Sequence, residues 1–140
     1  MLSRRELSEA QIRTRLARKQ FPNDDIDAAV ERLRQDGTLN DRRVALAAAR
    51  LESAIRHRGR ARVIQKLRTL GIDGAVIESA VNEVFEEVDE GALLDRALER
   101  RLKGQVPRDL DANGHARIVR GLAAQGFTIG DILKRFRGLE

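Results

Sequence analysis

A run of cationic side chains that contains no acid stands near the middle of this 140-residue sequence. Residues 56–68 read RHRGRARVIQKLR, and their cations are Arg56, Arg58, Arg60, Arg62, Lys66 and Arg68. Guanidinium groups suit both phosphates and carboxylates, because their fork of N–H donors is bidentate and permanently charged. We therefore expect these six residues, called the basic block below, to contact phosphate groups or an acidic protein surface.

Within the basic block, residues 58–62 are the leading contact site. Gly59 is expected to let the chain turn tightly before a helix, and free amides at a helix start favour an anion. A secondary basic run consists of Arg13, Arg15, Arg18 and Lys19. Residues 73–90 carry seven acids and no base (Asp73, Glu78, Glu83, Glu86, Glu87, Asp89 and Glu90). The alternative to a binding surface is therefore a solvated basic face whose arginines pair with the neighbouring acidic helix.

Composition excludes several kinds of chemistry. The chain has no cysteine, which removes disulfides, thiol nucleophiles and thiolate zinc sites. His57 and His115 have no second ligand at metal-binding spacing, and no glycine-rich phosphate loop is present. We expect no enzyme, no metal and no cofactor. Without an apolar run long enough for a membrane span or a signal peptide, we expect a cytoplasmic protein that has no membrane partner.

The elements that must position these charges follow from an internal repeat. Six apolar positions recur at the same spacing in three copies, starting at Ile12, Val63 and Ile118. The copies are Ile12, Leu16, Phe21, Ile26, Val30, Leu33; Val63, Leu67, Ile72, Ile77, Val81, Val84; and Ile118, Leu122, Phe127, Ile132, Phe136, Leu139. Steps of three and four residues on either side of a break indicate two amphipathic helices in each copy.

Turn and cap residues agree with a helical hairpin in each copy. Gly71 and Gly126 stand where a left-handed residue ends a helix, and the first copy has Phe21-Pro22-Asn23 there instead. Ser8 with Gln11 fits a capping box, while Asn23 and Asp73 can cap the following helices.

Longer helices are predicted ahead of the second and third hairpins. Residues 41–57 place Val44, Ala48, Leu51 and Ile55 on one face, and residues 90–103 place Leu94, Leu98 and Leu102 likewise. The predicted fold is all-α, a curved and elongated tandem array of three three-helix repeats at 1–39, 40–88 and 89–140. The first repeat is predicted to be truncated at its N-terminus, since 1–7 is too short for the long helix. A monomer is expected, because the apolar stripes are used within the array.

Several stretches, taken in order, resemble one known family. They are LSRRELSEAQIRTRLARKQF, AAVERLRQDGTLNDRRVA, RGRARVIQKLRTLGID and GLAAQGFTIGDILKRF. The most specific parts are Arg5, Glu6 and Ser8, the turn at 39–41, and Arg58-Gly59. Together with the triplication they resemble the regulatory protein RecX family over almost the whole chain. The resemblance implies a protein that binds the RecA recombinase on DNA and restrains filament growth, ATP hydrolysis and strand exchange.

The residues themselves leave a second class open. An independent DNA-binding protein could use the hairpins as helix-turn-helix units in the major groove. No hairpin shows an evident cluster of Asn, Gln and Arg for reading base edges, and the four phenylalanines fall mainly on core positions, away from single-strand stacking. Direct DNA affinity, for single or double strands, is therefore expected to be weak and non-specific.

Overall fold

The computed structural model describes residues 6–139, and every regular element in that range is helical. The helices are α1 (Glu9–Arg18), α2 (Asn23–Gln35), α3 (Asp41–Arg50), α4 (Arg60–Thr69), α5 (Gly74–Glu87), α6 (Glu90–Leu102), α7 (Ala112–Ala124) and α8 (Ile129–Leu139). A π-helical segment, Leu51–Ile55, continues α3, and a 3-10 turn, Pro107–Asp109, precedes α7. The prediction of an all-α chain is confirmed. No helix among the described residues is both long and apolar enough to cross a membrane.

The helices pack in three groups. Helix α3 packs on α4 and α5, and α7 packs on α6 and α8, whereas α1 and α2 pack chiefly on each other. Each group surrounds its own hydrophobic cluster. Phe85 and Val88, at the end of α5, contact the clusters of both the second and the third repeat. The array is therefore a series of small cores, and two apolar side chains at the end of α5 join the last two.

The repeated apolar positions are buried in the second and third hairpins but less well in the first. All six positions of the second copy are buried, while Ile12 and Leu16 of the first are only half-buried. Phe21 is 49% exposed, so the expectation of a core role is wrong for this phenylalanine. Within residues 6–139, the first hairpin lacks the extensively packed third helix that α3 supplies to the second. Leu139, at the end of α8, is also exposed.

The turns and caps match the sequence in most places. Gly71 and Gly126 have positive φ angles of 72° and 113°, as predicted for helix ends. The first hairpin uses Gln20, at φ 68°, for the same purpose. Ser8 and Gln11 form the predicted capping box. Asp73 caps α5, but Asn23 does not cap α2, because that helix begins one residue early, after Pro22.

One predicted helix face is wrong in its second half. Val44 is buried, but Leu51 and Ile55 are 37% and 68% exposed. The buried face of α3 instead runs through Ala45 and Ala49, whose small side chains let α3 lie close to α5. The stripe continues at helical spacing into the π-helical segment, where Glu52 and Ser53 are buried. The predicted face, through Leu51 and Ile55, lies to one side of this stripe.

Polar contacts join the first repeat to the second. The Ser8 hydroxyl donates to the Leu70 carbonyl over 2.5 Å, and the Glu9 amide donates to Asp41 Oδ1 over 2.8 Å. A Cβ added to Gly71 would stand 2.5 Å from the Cβ of Ala10. The start of α1 therefore rests directly on the turn after α4. Arg5, which the family resemblance includes, and the other residues of 1–5 lie outside the described range.

Glu9 is the centre of a charge network in the first repeat. It pairs with Arg34 of α2 and with Arg13, whose Nε lies 3.2 Å from Glu9 Oε2. Burial alone would raise the pKa of Glu9, but the hydrogen bonds and positive charges of Arg34 and Arg13 together hold that pKa below its ordinary value. Arg13 also contacts Asp27 of α2 at 2.6 Å. The network thus ties α1 to α2 where apolar burial is weak.

The first prediction concerns pH. A carboxyl whose pKa is lower in the folded state stabilises that state above its unfolded pKa, and this contribution is lost as the pH falls through the folded value. We expect the free energy of unfolding to drop as the pH falls below about 4.5, the ordinary value for Glu9, and to drop less in Glu9→Gln. Urea unfolding at several pH values measures this. Identical pH profiles for the two proteins would contradict it.

The second prediction concerns the cores. Leu67 has no exposed surface, so Leu67→Ala should lower the free energy of unfolding by about 2–5 kcal/mol. Leu16→Ala should lower it by less, because Leu16 is half-buried in the smaller first cluster. Chemical denaturation measures both losses, and equal losses would show that the first repeat packs as well as the second.

Candidate anion-binding interface

The residues of the basic block do not gather at one cavity. Arg56 and Lys66 line a cavity of about 230 Å³ between the first and second repeats. Arg56 and Arg58 line another, of about 280 Å³, between the second and third repeats. Arg60 is directed to α5, where its guanidinium contacts the Asn82 side chain and lies 5.9 Å from the centre of the Phe85 ring. Arg62 donates to Gln65 Oε1 over 2.7 Å.

A buried carboxylate that the sequence reasoning missed organises the start of the block. Glu52 lies in the π-helical segment and is only 3% exposed. Its Oε1 is 3.1 Å from Arg56 Nη1, and its Oε2 is 4.0 Å from Arg58 Nε. The Glu52 carbonyl also accepts the Arg58 amide over 2.9 Å. A buried charge requires such partners, so Glu52 fixes the positions of these two arginines.

Gly59 has a different purpose from the one predicted. Its φ is −76°, an ordinary value, and the left-handed residue of this loop is His57 at 55°. A Cβ on Gly59 would clash with the backbone of Gly126 and would lie 2.9 Å from the Phe127 nitrogen. Gly59 is therefore required by the close approach of the third repeat, and the expectation of a tight turn at this residue is wrong.

The amides at the start of α4 are already in use. The Gly59 amide donates to the Gln125 carbonyl over 2.9 Å, and the Arg60 amide donates to Glu90 Oε1 over 3.3 Å. The expectation of free amides at this helix start is thus wrong at both positions. Any anion bound by residues 58–62 must be held by side chains, because Glu90 already occupies the positive end of the helix.

The acidic helix does not neutralise the basic block. Glu83 pairs with Arg42 at 3.1 Å, and Glu87 pairs with Arg50 at 3.4 Å. Both arginines belong to α3, which packs along α5. Among residues 6–139, no carboxylate lies within ion-pair distance of the remaining cations of the block (Arg60, Arg62, Lys66 and Arg68). The structure therefore contradicts the alternative in which the acids of α5 pair with the arginines of the basic block.

In the secondary basic run, Arg13 already has ion-pair partners. Arg13 is committed to Glu9 and Asp27, and these contacts, that of Asp27 foremost, raise its pKa. Arg15, Arg18 and Lys19 are exposed and have no ion-pair partner in the part of the chain that the structure describes. Their binding role stays a prediction.

The third repeat adds cations that the sequence reasoning did not single out. Arg100, Arg101, Lys103 and Arg117 line a cavity of about 470 Å³ between α6 and α7, and no carboxylate lines it. Arg101 also lines the cleft that contains Arg56 and Arg58. In the sequence these cations stand partly in the run RALERRLKG, residues 96–104. The run also contains Glu99 and three apolar residues of a predicted core helix, so it does not stand out as a basic segment.

The two histidines contact different residues of the fold. The His115 ring lies 4.4 Å from the Phe136 ring, centre to centre. Nδ1 of His57 is buried without a hydrogen-bond partner in the described structure, and the His57 carbonyl accepts from Gln125 Nε2 over 2.7 Å. Among residues 6–139, no group of three or more His, Cys, Asp and Glu side chains is arranged to hold a metal ion.

Fold and surface together define an all-α helical-repeat protein with a cleft lined by three arginines where its second and third repeats meet. A family model described as "RecX, first three-helix domain" matches residues 1–33. "Regulatory protein RecX" of Syntrophotalea carbinolica is 32% identical over 136 residues, which are 97% of this chain and 89% of that protein. The RecX of Pseudomonas entomophila is also 32% identical, over 100% of this chain and 87% of its own. The chain belongs to the RecX family.

A solved structure shows the same fold. The "Crystal structure of regulatory protein RecX" superposes with a TM-score of 0.78 at 18% sequence identity, over 94% of this chain. The superposed region is 64% of the solved chain, so this protein spans a little less than two thirds of it. The predicted family and the predicted helical-repeat fold are both confirmed.

The third prediction tests the backbone contact between Gly59 and Gly126, which joins the second repeat to the third. Gly59→Ala should lower the free energy of unfolding by about 1–3 kcal/mol, because the added methyl meets rigid backbone at Gly126. Gly74→Ala is the matched control, since a Cβ there meets nothing within 4 Å. Thermal and urea unfolding compare the two, and an equally tolerated Gly59→Ala would show that the repeats can separate without cost.

Proposed function

We propose that this protein binds the RecA recombinase filament on DNA and restrains its growth, its ATP hydrolysis and strand exchange. The proposal rests first on membership of the RecX family over nearly the whole chain. In this proposal the protein acts by binding and not by catalysis, in keeping with relatives that are named regulatory proteins.

The observation that carries the proposal is that four cations of the basic block, Arg60, Arg62, Lys66 and Arg68, have no carboxylate within ion-pair distance among the described residues. The acidic helix is paired with α3, which leaves arginines available at the surface of the second repeat. These side chains suit the phosphates of the filament's DNA or acidic groups on its surface. Arg58 and Arg60 are partly held by neighbouring groups, which reduces the conformational entropy that their ordering on a partner would cost.

An independent DNA-binding protein is the second candidate, and one observation favours it. The cavity lined by Arg100, Lys103 and Arg117 has no carboxylate among the described residues and needs no protein partner to attract phosphates. Such binding would be sequence-independent and salt-sensitive. The two candidates differ in whether the protein acts on the recombinase.

The fourth prediction separates them by ATPase measurements. Substoichiometric protein added to RecA, ATP and single-stranded DNA should lower the rate of ATP hydrolysis. If the folded protein leaves the rate of ATP hydrolysis unchanged at equimolar amounts, the result contradicts a role as a RecA regulator. It then favours the independent DNA-binding protein.

The same assay tests the basic block. The triple variant Arg58→Gln, Arg60→Gln, Arg62→Gln should abolish the inhibition while the helical circular dichroism persists. Glutamine is chosen because a glutamate at position 58 would face the buried Glu52. The matched control neutralises three exposed arginines outside both basic runs, Arg96, Arg108 and Arg137, and should inhibit like the wild type. Wild-type inhibition by the first variant would move the contact to Arg15, Arg18 and Lys19.

A further inference from the structure

Three arginines from two repeats meet at one cleft. Arg56 and Arg58 come from the loop before α4, and Arg101 comes from α6. Gly121 and Ala124 of α7, with Gln125 directly after that helix, complete the lining. The cleft measures about 280 Å³, several times the roughly 30 Å³ that one molecule occupies in liquid water.

Each arginine of the cleft is held in place from behind. Arg56 and Arg58 are held by the buried Glu52, which does not itself line the cleft. Arg101 Nη2 donates to the Gly121 carbonyl over 3.2 Å and to Gln125 Oε1 over 3.3 Å. Gln125 in turn donates to the carbonyl of His57 in the opposite repeat over 2.7 Å. The guanidinium groups are thus positioned before any ligand arrives.

The charge of the cleft suits a phosphate. Three arginines against the single carboxylate of Glu52 leave an excess of two positive charges. The adjoining cavity, which shares Arg101 and Gln125 with the cleft, continues the positive charge with Arg100, Lys103 and Arg117. No acid and no aromatic side chain lines either cavity among the described residues, so regularly spaced anionic groups fit and stacked bases do not.

We propose that the cleft between the second and third repeats binds a backbone phosphate of a nucleic-acid strand, with Arg101 as the contact that the third repeat contributes. The strand continues into the adjoining cavity, where the next phosphates meet Arg100, Lys103 and Arg117. Contacts of this kind hold the strand without reading its sequence. The inference rests on the proposed function, because it takes DNA as the partner. It adds to that function the position of the phosphate site and the contact residue Arg101.

The experiment measures binding of a labelled oligothymidylate to the full chain, without recombinase, between about 50 and 200 mM salt. Arg101→Ala should weaken the affinity on the order of fivefold and reduce the slope of log affinity against log salt by about 0.7, the value for one phosphate contact on a single strand. Arg96→Ala is the matched control, because Arg96 is an exposed arginine of the same helix that lines neither cavity. It should leave both quantities unchanged.

A second variant moves Arg101 without removing its charge. A Cβ on Gly121 would stand 2.6 Å from Arg101 Cζ and closer still to its Nη1, so Gly121→Ala must displace the guanidinium. Gly130→Ala controls for the added methyl, since a Cβ there meets nothing within 4 Å. We expect weaker oligonucleotide binding for Gly121→Ala alone, with both variants melting at or above the wild-type temperature because alanine favours a helix.

The outcomes separate this site from the proposed function. Equal salt slopes for Arg101→Ala and Arg96→Ala would overturn the phosphate contact, as would undiminished binding by Gly121→Ala. Displacement of the oligonucleotide by polyglutamate but not by inorganic pyrophosphate at equal ionic strength would assign the cleft to acidic protein and also overturn it. Cleft-dependent oligonucleotide binding without any effect on RecA ATPase would uphold the site and refute the regulator.

Discussion

The close approach of Gly59 to Gly126 is the constraint on which the arrangement of the last two repeats depends. Backbone meets backbone there, and the Gly59 amide donates to the carbonyl of Gln125. Side chains at either glycine would hold the repeats apart, and the cleft between Arg58 and Arg101 would open with them. The distance between cations from different repeats is therefore set by two residues that carry no charge.

The buried carboxylate of Glu52 solves a second problem, which is how to keep flexible arginines in one place. Removing an ion from water is costly unless its partners are close, so Glu52 draws Arg56 and Arg58 to the wall of the second repeat. Glu52 continues the buried face of Ala45 and Ala49 into the π-helical segment, whereas Leu51 and Ile55 lie outside that face and are exposed. A carboxylate thus takes a buried position on this helix, and it orders a pair of cations.

The three repeats are not equally supported. The second and third hairpins each pack against a full leading helix, and their apolar positions are buried almost without exception. The first hairpin depends more on polar links, among them the Glu9 network and the bond from Ser8 to the Leu70 carbonyl. Because Arg34 and Arg13 lower the pKa of Glu9, protonation of this carboxylate weakens the network, and the first repeat is the part most easily opened by acid.

The sequence by itself determined the repeat, the helices and most of the core, because apolar spacing and glycine turns are local signals that each copy restates. The run of cations without an acid also identified the basic block as a chemically distinct segment. The apolar pattern could not show that Glu52 is buried, because it favours the face through Leu51 and Ile55, beside the stripe of Ala45, Ala49 and Glu52 that the structure buries. Nor could it bring Arg101 beside Arg58, because their meeting depends on a backbone contact between residues more than sixty positions apart, Gly59 and Gly126. The tertiary structure decided which charges are neutralised and which converge, since pairing depends on distances between elements that no local pattern records.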